Sequence, residues 1–153
     1  MERTLVLIKP DAVQRGLIGR VVTRLEQKGL KIIGMKMMKL DMAMLEEHYA
    51  HLKDKPFFPK IAAFMMSAPI IALCIEGLEA IKVVRSMCGV TNSREALPGT
   101  IRGDLAMSTR SNLVHASDSP ASAAKEIELF FSEQELFPFE NLLEHLIHIP
   151  DGT

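Results

Sequence analysis

The sequence has little of what defines secreted, metal-stapled or membrane proteins. Its 153 residues include two cysteines, Cys74 and Cys88, and two thiols at this spacing make neither a disulfide framework nor a zinc site. We expect both thiols to be buried and unreactive. No run of eighteen apolar residues is present, and no secretion signal precedes the first predicted strand. These absences predict a cytoplasmic protein.

The sequence also lacks the glycine-rich motifs that usually hold phosphates. It contains no G-x-x-x-x-G-K-[ST] loop, no G-x-G-x-x-G loop, and neither the H-R-D nor the D-F-G motif of protein kinases. Backbone amides of such loops are therefore not available to a phosphate ligand. If this chain binds phosphates, side chains have to hold them.

Neither positive nor negative charge is in excess, because 18 basic residues nearly balance 19 acidic ones. The chain has no global positive field, so nucleic acid is not the default partner. Basic residues concentrate between positions 82 and 110, and none follows Lys125. This local excess fits a small anionic ligand, with an ordinary solvated loop as the alternative. The basic residues of the segment are Lys82, Arg85, Arg94, Arg102 and Arg110.

Strand and helix patterns alternate along the chain. Residues 4–8 are apolar on both faces and predict a strand covered on both sides, with Lys9 at its exit. The next helix has a buried stripe and ends near Gly29. A second strand is predicted at 30–40. Asp41 then caps a helix with an expected stripe of Met42, Leu45, Tyr49 and Leu52.

The second half repeats this order. We predict a short helix up to Met66, a strand at 70–75, a helix at 78–88, an irregular loop at 90–111, a strand at 112–117, a helix capped by Ser119 that runs through Phe131, and a short helix at 142–149. This order predicts one domain over residues 1–153, of the α/β or α+β class. Two βαβ halves are typical of a ferredoxin-like fold.

His115 lies at a predicted strand end in Asn112-Leu113-Val114-His115-Ala116-Ser117-Asp118. A lone strand histidine is more often a satisfied core residue, and we assign no function to His48 or the other histidines. Nearby inward-facing charges favour a functional His115. Glu126 and Arg85 share the apolar sides of their predicted helices, and Lys9 is in phase with the apolar residues of its strand.

These residue types match the needs of phosphoryl transfer through histidine. The ring must keep one nitrogen free to attack while an acceptor holds the other, and Glu126 is the candidate acceptor. Donors must also stand where charge develops on the transferred group. The sequence offers Lys9, Arg85, Thr91, Arg102 and Asn112 for this role.

Phe57 and Phe58 lie between Pro56 and Pro59. An exposed ring here could stack on any nucleobase, because every base has a π-face. A hydrophobic plug beneath a loop is an equally good interpretation.

Together these residues are similar to the nucleoside diphosphate kinase family, from about Arg3 to about Phe131. Three segments carry the resemblance, and they are Thr4-Leu5-Val6-Leu7-Ile8-Lys9-Pro10-Asp11, Pro98-Gly99-Thr100-Ile101-Arg102-Gly103-Asp104, and Asn112 through Asp118. Residues 135–153 match only loosely. The family fold is a four-stranded antiparallel ferredoxin-like sheet covered by helices.

The resemblance implies a ping-pong exchange. A nucleoside triphosphate phosphorylates His115, and a nucleoside diphosphate then collects the phosphoryl group. Mg²⁺ bridges phosphates, and no protein side chain is expected to ligate it. The resemblance also implies a homo-oligomer, and the Gly99–Asp104 loop favours a hexamer over a tetramer.

The resemblance assigns the site residues individually. Lys9, Arg102 and Asn112 would contact the sugar and the transferred phosphate, and Arg85 and Thr91 the more distant phosphates. Phe57 would stack on the base, Tyr49 would lie beside His115, and Ser117 and Glu126 would position it.

Ala116, Thr109, Arg110 and Ser111 differ from the commoner family residues, which affects the expected base affinity and loop conformation. The alternative function is a catalytically silent nucleotide-binding or regulatory module on the same fold.

Overall fold

A computed structural model describes residues 1–152 and places four strands in one antiparallel sheet. The strands are β1 (Glu2–Ile8), β2 (Lys31–Met38), β3 (Ile70–Gly77) and β4 (Val114–Ala116). Their order is β2-β3-β1-β4, with β1 in antiparallel register to both β3 and β4. The predicted α+β, ferredoxin-like fold is confirmed.

Helices fill the connections between the strands. They are α1 (Pro10–Gln14), α2 (Ile18–Gln27), α3 (Met42–His48), α4 (Phe58–Met65), α5 (Ala80–Cys88), α6 (Ile101–Leu105), α7 (Pro120–Phe130) and α8 (Glu144–Ile147). A single 3₁₀ turn spans Glu133–Glu135. The α6 helix corrects our prediction of an irregular 90–111 segment. Thr100 caps it by accepting a hydrogen bond from the Gly103 amide at 3.0 Å.

The central strand β1 is buried on both faces, as its apolar run predicts. Leu5 and Leu7 pack on one face in a cluster that includes Phe130 of α7, and Val6 and Ile8 pack on the other. Because side chains alternate across a strand, the two faces form two separate core layers. The exit of β1, where Lys9 lies, is therefore fixed by packing from both sides.

The predicted helix ends agree with the structure in most places. Gly29 has φ +94° just after α2, a left-handed conformation that glycine adopts without steric cost. Asp41 accepts a hydrogen bond from the Met44 amide, and Ser119 accepts one from the Ser122 amide. The predicted stripe of α3 is wrong at Met42, which is exposed because it faces solvent at the first helical position.

Both cysteines are buried, as expected. Burial raises the pKa of the Cys74 thiol and of the Cys88 thiol to about 11. Neither thiol is therefore ionised at neutral pH. Within residues 1–152, no helix is long and apolar enough to cross a membrane.

Candidate active site

A pocket of about 900 Å³ opens where β1 and β4 end beneath α3, α4, α5 and α7. This volume is typical of a site for a drug-sized ligand. The pocket brings together residues that lie far apart in the sequence. All but one of the predicted site residues line it, and these are Lys9, Tyr49, Phe57, Arg85, Thr91, Arg102, Asn112, His115 and Glu126.

His115 and Glu126 form a direct pair. His115 faces Leu7 across the β1/β4 ladder, and α7 packs on the same sheet face through Phe130. Glu126 lies four residues before Phe130, so it reaches the sheet edge at His115. The His115 Nε2 to Glu126 Oε2 distance is 2.6 Å. If Nε2 carries the proton and donates it to the carboxylate, Nδ1 remains free as a nucleophile.

Lys9 and Asn112 are joined in the wall of the pocket. The Lys9 ammonium donates to the Asn112 side-chain oxygen at 2.7 Å. The Asn112 amide group donates to the Thr91 carbonyl at 3.0 Å and to the Thr109 carbonyl at 2.8 Å. Burial, and to a lesser extent the nearby charge of Arg102, lowers the pKa of Lys9 to about 8. The ammonium is thus held at the pocket wall with little water around it, where an anion would be a strong partner.

Arg102 is anchored by backbone carbonyls. Its guanidinium donates to the carbonyls of Asn112 at 3.3 Å, Gly89 at 2.8 Å and Val114 at 2.6 Å. Of its five N–H groups, two remain for a ligand. Arg102 therefore links α6, α5 and β4 while its positive charge faces the pocket.

The structure corrects the prediction that Arg85 lies on the buried side of its helix. The sequence placed Arg85 on the buried stripe of its helix, but the residues of α5 that are buried include Ile81, Val84 and Cys88. Arg85 is exposed and lines the pocket, where it donates to the Ala116 carbonyl at 3.3 Å. Its long side chain crosses the sheet edge and needs no buried partner.

The other basic residues of the 82–110 segment lie in different places. Arg110 lines the pocket with Arg85 and Arg102. Arg94 is exposed and donates to the Met107 carbonyl, while Lys82 lies near Glu79 on the surface. Only part of the 82–110 positive charge therefore serves the pocket.

Two aromatic rings, Phe57 and Tyr49, line the pocket at different depths. Phe57 is 46% exposed and lines the opening, whereas Phe58 is buried in the core with α4. The plug interpretation therefore applies to Phe58, and the exposed Phe57 ring stays the candidate for stacking on a base. Tyr49 lines the pocket deeper inside, where burial and the nearby Glu126 raise its pKa to about 12. Its hydroxyl stays protonated at neutral pH.

Ser117 does not line the pocket. It is fully buried, and its hydroxyl accepts a hydrogen bond from the Leu5 amide at 3.2 Å. The Ser117 amide donates to the Leu5 carbonyl at 3.1 Å. Ser117 therefore joins the end of β4 to β1, two residues after His115.

The sequence did not reveal that His48 contacts His115. Its ring stands edge-on to the His115 ring with centroids 4.7 Å apart, and also contacts the rings of Tyr49 and Phe130. Both ring nitrogens are buried without a hydrogen-bond partner among the described residues. Burial lowers the pKa of His48 to about 4, so the ring is neutral and packs as an aromatic group. A histidine at the end of a short helix carries no sequence signal of this contact.

The arrangement has the parts of a phosphoryl-transfer site. An accessible nitrogen nucleophile is backed by a carboxylate, and fixed cationic groups line the same pocket. Such groups stabilise charge on a transferred phosphoryl group because they are already in place when the charge develops.

Comparison with known proteins agrees with this chemistry. The family model described as nucleoside diphosphate kinase matches residues 2–136. A protein of that name from Parabacteroides distasonis is 57% identical over 94% of this chain and 95% of its own length. One from Archaeoglobus fulgidus is 53% identical over 97% of this chain and 98% of its own.

Two solved structures are also similar. A halophilic nucleoside diphosphate kinase from Halobacterium salinarum in complex with CDP has a TM-score of 0.94 and 45% identity, covering 97% of this chain and 99% of that one. A transition state mimic of nucleoside-diphosphate kinase from Borrelia burgdorferi, with bound vanadate and ADP, has a TM-score of 0.89 and 34% identity, covering 95% of each chain.

Proposed function

This chain belongs to the nucleoside diphosphate kinase family of phosphotransferases, and we propose that it carries the phosphoryl group on Nδ1 of His115. The observation that supports this assignment is the 2.6 Å contact between His115 Nε2 and Glu126. It occupies one ring nitrogen and leaves the other as the nucleophile.

In the first half-reaction, Nδ1 attacks the γ-phosphorus of a nucleoside triphosphate. The bond from phosphorus to the bridging oxygen breaks, and the nucleoside diphosphate leaves with that oxygen. The phosphorylated ring keeps its Nε2 proton and carries a positive charge, which the Glu126 carboxylate stabilises. The second half-reaction reverses these steps with another nucleoside diphosphate, so the exchange is ping-pong.

The cationic groups have separate tasks in this proposal. Lys9 and Arg102, with Asn112 between them, face the transferred phosphate and the sugar. Arg85 and Thr91, which are exposed at the pocket, face the more distant phosphates. The protonated Tyr49 hydroxyl can donate a hydrogen bond near His115. Holding these donors rigid lowers the cost of reorganisation during transfer.

Mg²⁺ fits this site as a companion of the nucleotide. Within the described residues, the group of side chains close enough to hold a metal is His48, His115 and Glu126, and two imidazoles are poor ligands for Mg²⁺. The phosphates of the substrate therefore have to supply most of its ligands. When bound with the nucleotide, Mg²⁺ would neutralise part of the phosphate charge, while Lys9, Arg85 and Arg102 would supply the protein's share of that stabilisation.

Incubation with ATP in the absence of an acceptor tests the proposed intermediate. Intact mass should increase by one phosphoryl group per chain, and the group should be labile to mild acid. Any nucleoside diphosphate should then remove it. A silent nucleotide-binding module would bind ATP and gain no mass.

Phe57→Ala tests base recognition. Phe57 offers one exposed ring face, and a stack on it is worth ~1 to 3 kcal/mol for any base. We expect kcat/KM to fall for purine and pyrimidine diphosphates alike. Steady-state rates with four bases measure this, and Phe139→Ala, an exposed ring outside the pocket, is the matched control. A strong preference for one base that persists in Phe57→Ala would contradict stacking as the main contact.

We propose a homo-hexamer as the assembly, with a tetramer as the alternative. Several large apolar side chains lie exposed, among them Phe137, Leu142 and Leu146 near the end of the chain and Met35 and Met37 on the edge strand β2. A contiguous exposed apolar patch marks a protein interface, and the hexamer would bury these side chains. Light scattering should give six times the mass of one chain, and a stable tetramer or monomer would refute the hexamer. A single domain over 1–153 and a cytoplasmic location stay predictions.

A further inference from the structure

Leu113, two residues before His115, has a backbone conformation that is rare for its residue type. Its φ is +75°, and its side chain is fully buried. The Val114 amide donates to the Asn112 carbonyl at 2.9 Å, which closes a three-residue γ-turn around Leu113. The form of this turn with positive φ is rare and strained, especially at a bulky residue. Surrounding contacts have to hold it in place.

Asp11 supplies one of those contacts. Its Oδ2 accepts a hydrogen bond from the Leu113 amide at 3.1 Å. On the other side of the same residue, the Leu113 carbonyl accepts a hydrogen bond from the Lys9 amide at 2.8 Å. The Lys9-Pro10-Asp11 segment therefore holds both backbone groups of Leu113, and Asp11 does so with a side chain from outside the pocket.

The γ-turn sets the positions of Lys9, Arg102 and His115. Asn112 at its start accepts from the Lys9 ammonium and from Arg102. Val114 at its end accepts from Arg102 and leads directly to His115. If Leu113 relaxed to a negative φ, these groups would lose their common frame. A displacement of about 1 Å at such groups can cost 10²-fold in rate.

The charge of Asp11 also affects the pKa of Lys9. Its Oδ1 is buried without a hydrogen-bond partner among the described residues. Burial and Arg102 of α6 lower the pKa of Lys9, whereas the charge of Asp11 of α1 opposes that effect; Cys88 of α5 also lies near Lys9, but its thiol is neutral at the pH where Lys9 titrates. Arg85 adds further positive charge to the same pocket. Within this set, Asp11 is the carboxylate that lies two residues from Lys9 and does not line the pocket.

We propose that Asp11 is a positioning residue for phosphoryl transfer, because its carboxylate holds the strained Leu113 turn from outside the pocket and places a negative charge two residues from Lys9. This proposal rests on the proposed function of His115. A purely structural carboxylate in the first turn of α1 would stabilise that helix and would not affect the chemistry of the pocket.

Asp11→Ala and Asp11→Asn separate the two contributions. Alanine removes both the acceptor and the charge, whereas asparagine keeps an acceptor for the Leu113 amide and removes only the charge. Asp41→Asn is the matched control, because Asp41 also accepts a backbone amide, caps α3 and lies outside the pocket. Each variant is compared with wild type by thermal unfolding, by ADP affinity, and by single-turnover phosphorylation with subsaturating ATP across pH 6 to 10.

We expect Asp11→Ala to slow phosphorylation of His115 by about 10²-fold at pH 7. Asp11→Asn should recover most of that rate at pH 7. Without the carboxylate, however, the protonated form of Lys9 loses a stabilising charge, so its pKa falls further below about 8. The alkaline loss of rate should therefore begin at a lower pH in Asp11→Asn than in wild type. Asp41→Asn should match wild type in rate and pH profile.

Two results would overturn the proposal. One is wild-type phosphorylation with an unchanged pH profile in both Asp11 variants, even if their unfolding temperatures fall. The other is an equal change in Asp41→Asn. If Asp11→Ala does not fold, the pH profile of Asp11→Asn decides alone. If wild type itself gains no phosphoryl group, the assignment of His115 fails, and that result is distinct from failure of Asp11.

Discussion

The His115→Ala variant should carry no added phosphoryl group after incubation with ATP, and nucleotide exchange should fall on the order of 10⁶-fold, as is typical when a nucleophile is removed. The reason is that, among the described residues that line the pocket, His115 is the side chain that combines a free ring nitrogen with a carboxylate at 2.6 Å. ADP should still bind, because Phe57, Arg85 and Thr91 remain. Intact mass and coupled exchange assays measure both effects.

His145→Ala is the matched control for this prediction. His145 is exposed on α8 and does not line the pocket, so the variant should be phosphorylated as wild type is. Label that persists in His115→Ala, or that maps to Ser117, would contradict the assignment. Phosphate on Ser117 would also require this fully buried hydroxyl to leave the Leu5 amide.

Glu126→Gln should slow phosphorylation of His115 by roughly 10- to 10³-fold, the cost of a lost orienting or electrostatic contact. Glutamine keeps the shape of the side chain but removes the charge. The ring then loses the anion that stabilises its positive phosphorylated form, and the Nε2 proton has a weaker acceptor. ADP affinity should barely change. Single-turnover rates and equilibrium binding separate these effects.

Glu128→Gln provides the control on the same helix. Glu128 lies two residues further along α7, is exposed, and does not line the pocket. This variant should phosphorylate at the wild-type rate. A wild-type rate in Glu126→Gln, or a defect confined to nucleotide affinity, would leave Glu126 with a structural role only.

The sequence indicated most of the fold because its local patterns were strong. The apolar run of β1 and the cap at Ser119 each point to one structure, and both are confirmed. The α6 helix was missed because five residues that include Gly103 have no apolar periodicity. Spacing also placed Arg85 on a buried stripe, although a long side chain at a sheet edge can turn outward.

Only part of the site could be predicted from the sequence. Inward charges and the Asn112 to Asp118 segment pointed to His115 and Glu126, and the structure places them in contact. The contact of His48 with His115 and the bond from Asp11 to Leu113 were not visible. They join residues 67 and 102 positions apart, and no local pattern constrains such pairs.

The sequence by itself indicated the order of the strands and of most helices, the candidate nucleophile His115, and the candidate cationic groups for its pocket. Those properties follow from side-chain chemistry and from periodicities within about ten residues. Tertiary structure alone decided which nitrogen of His115 is free, which arginines face the pocket, and how a strained turn at Leu113 is held. These depend on distances of a few ångströms between segments that only the packed sheet brings together.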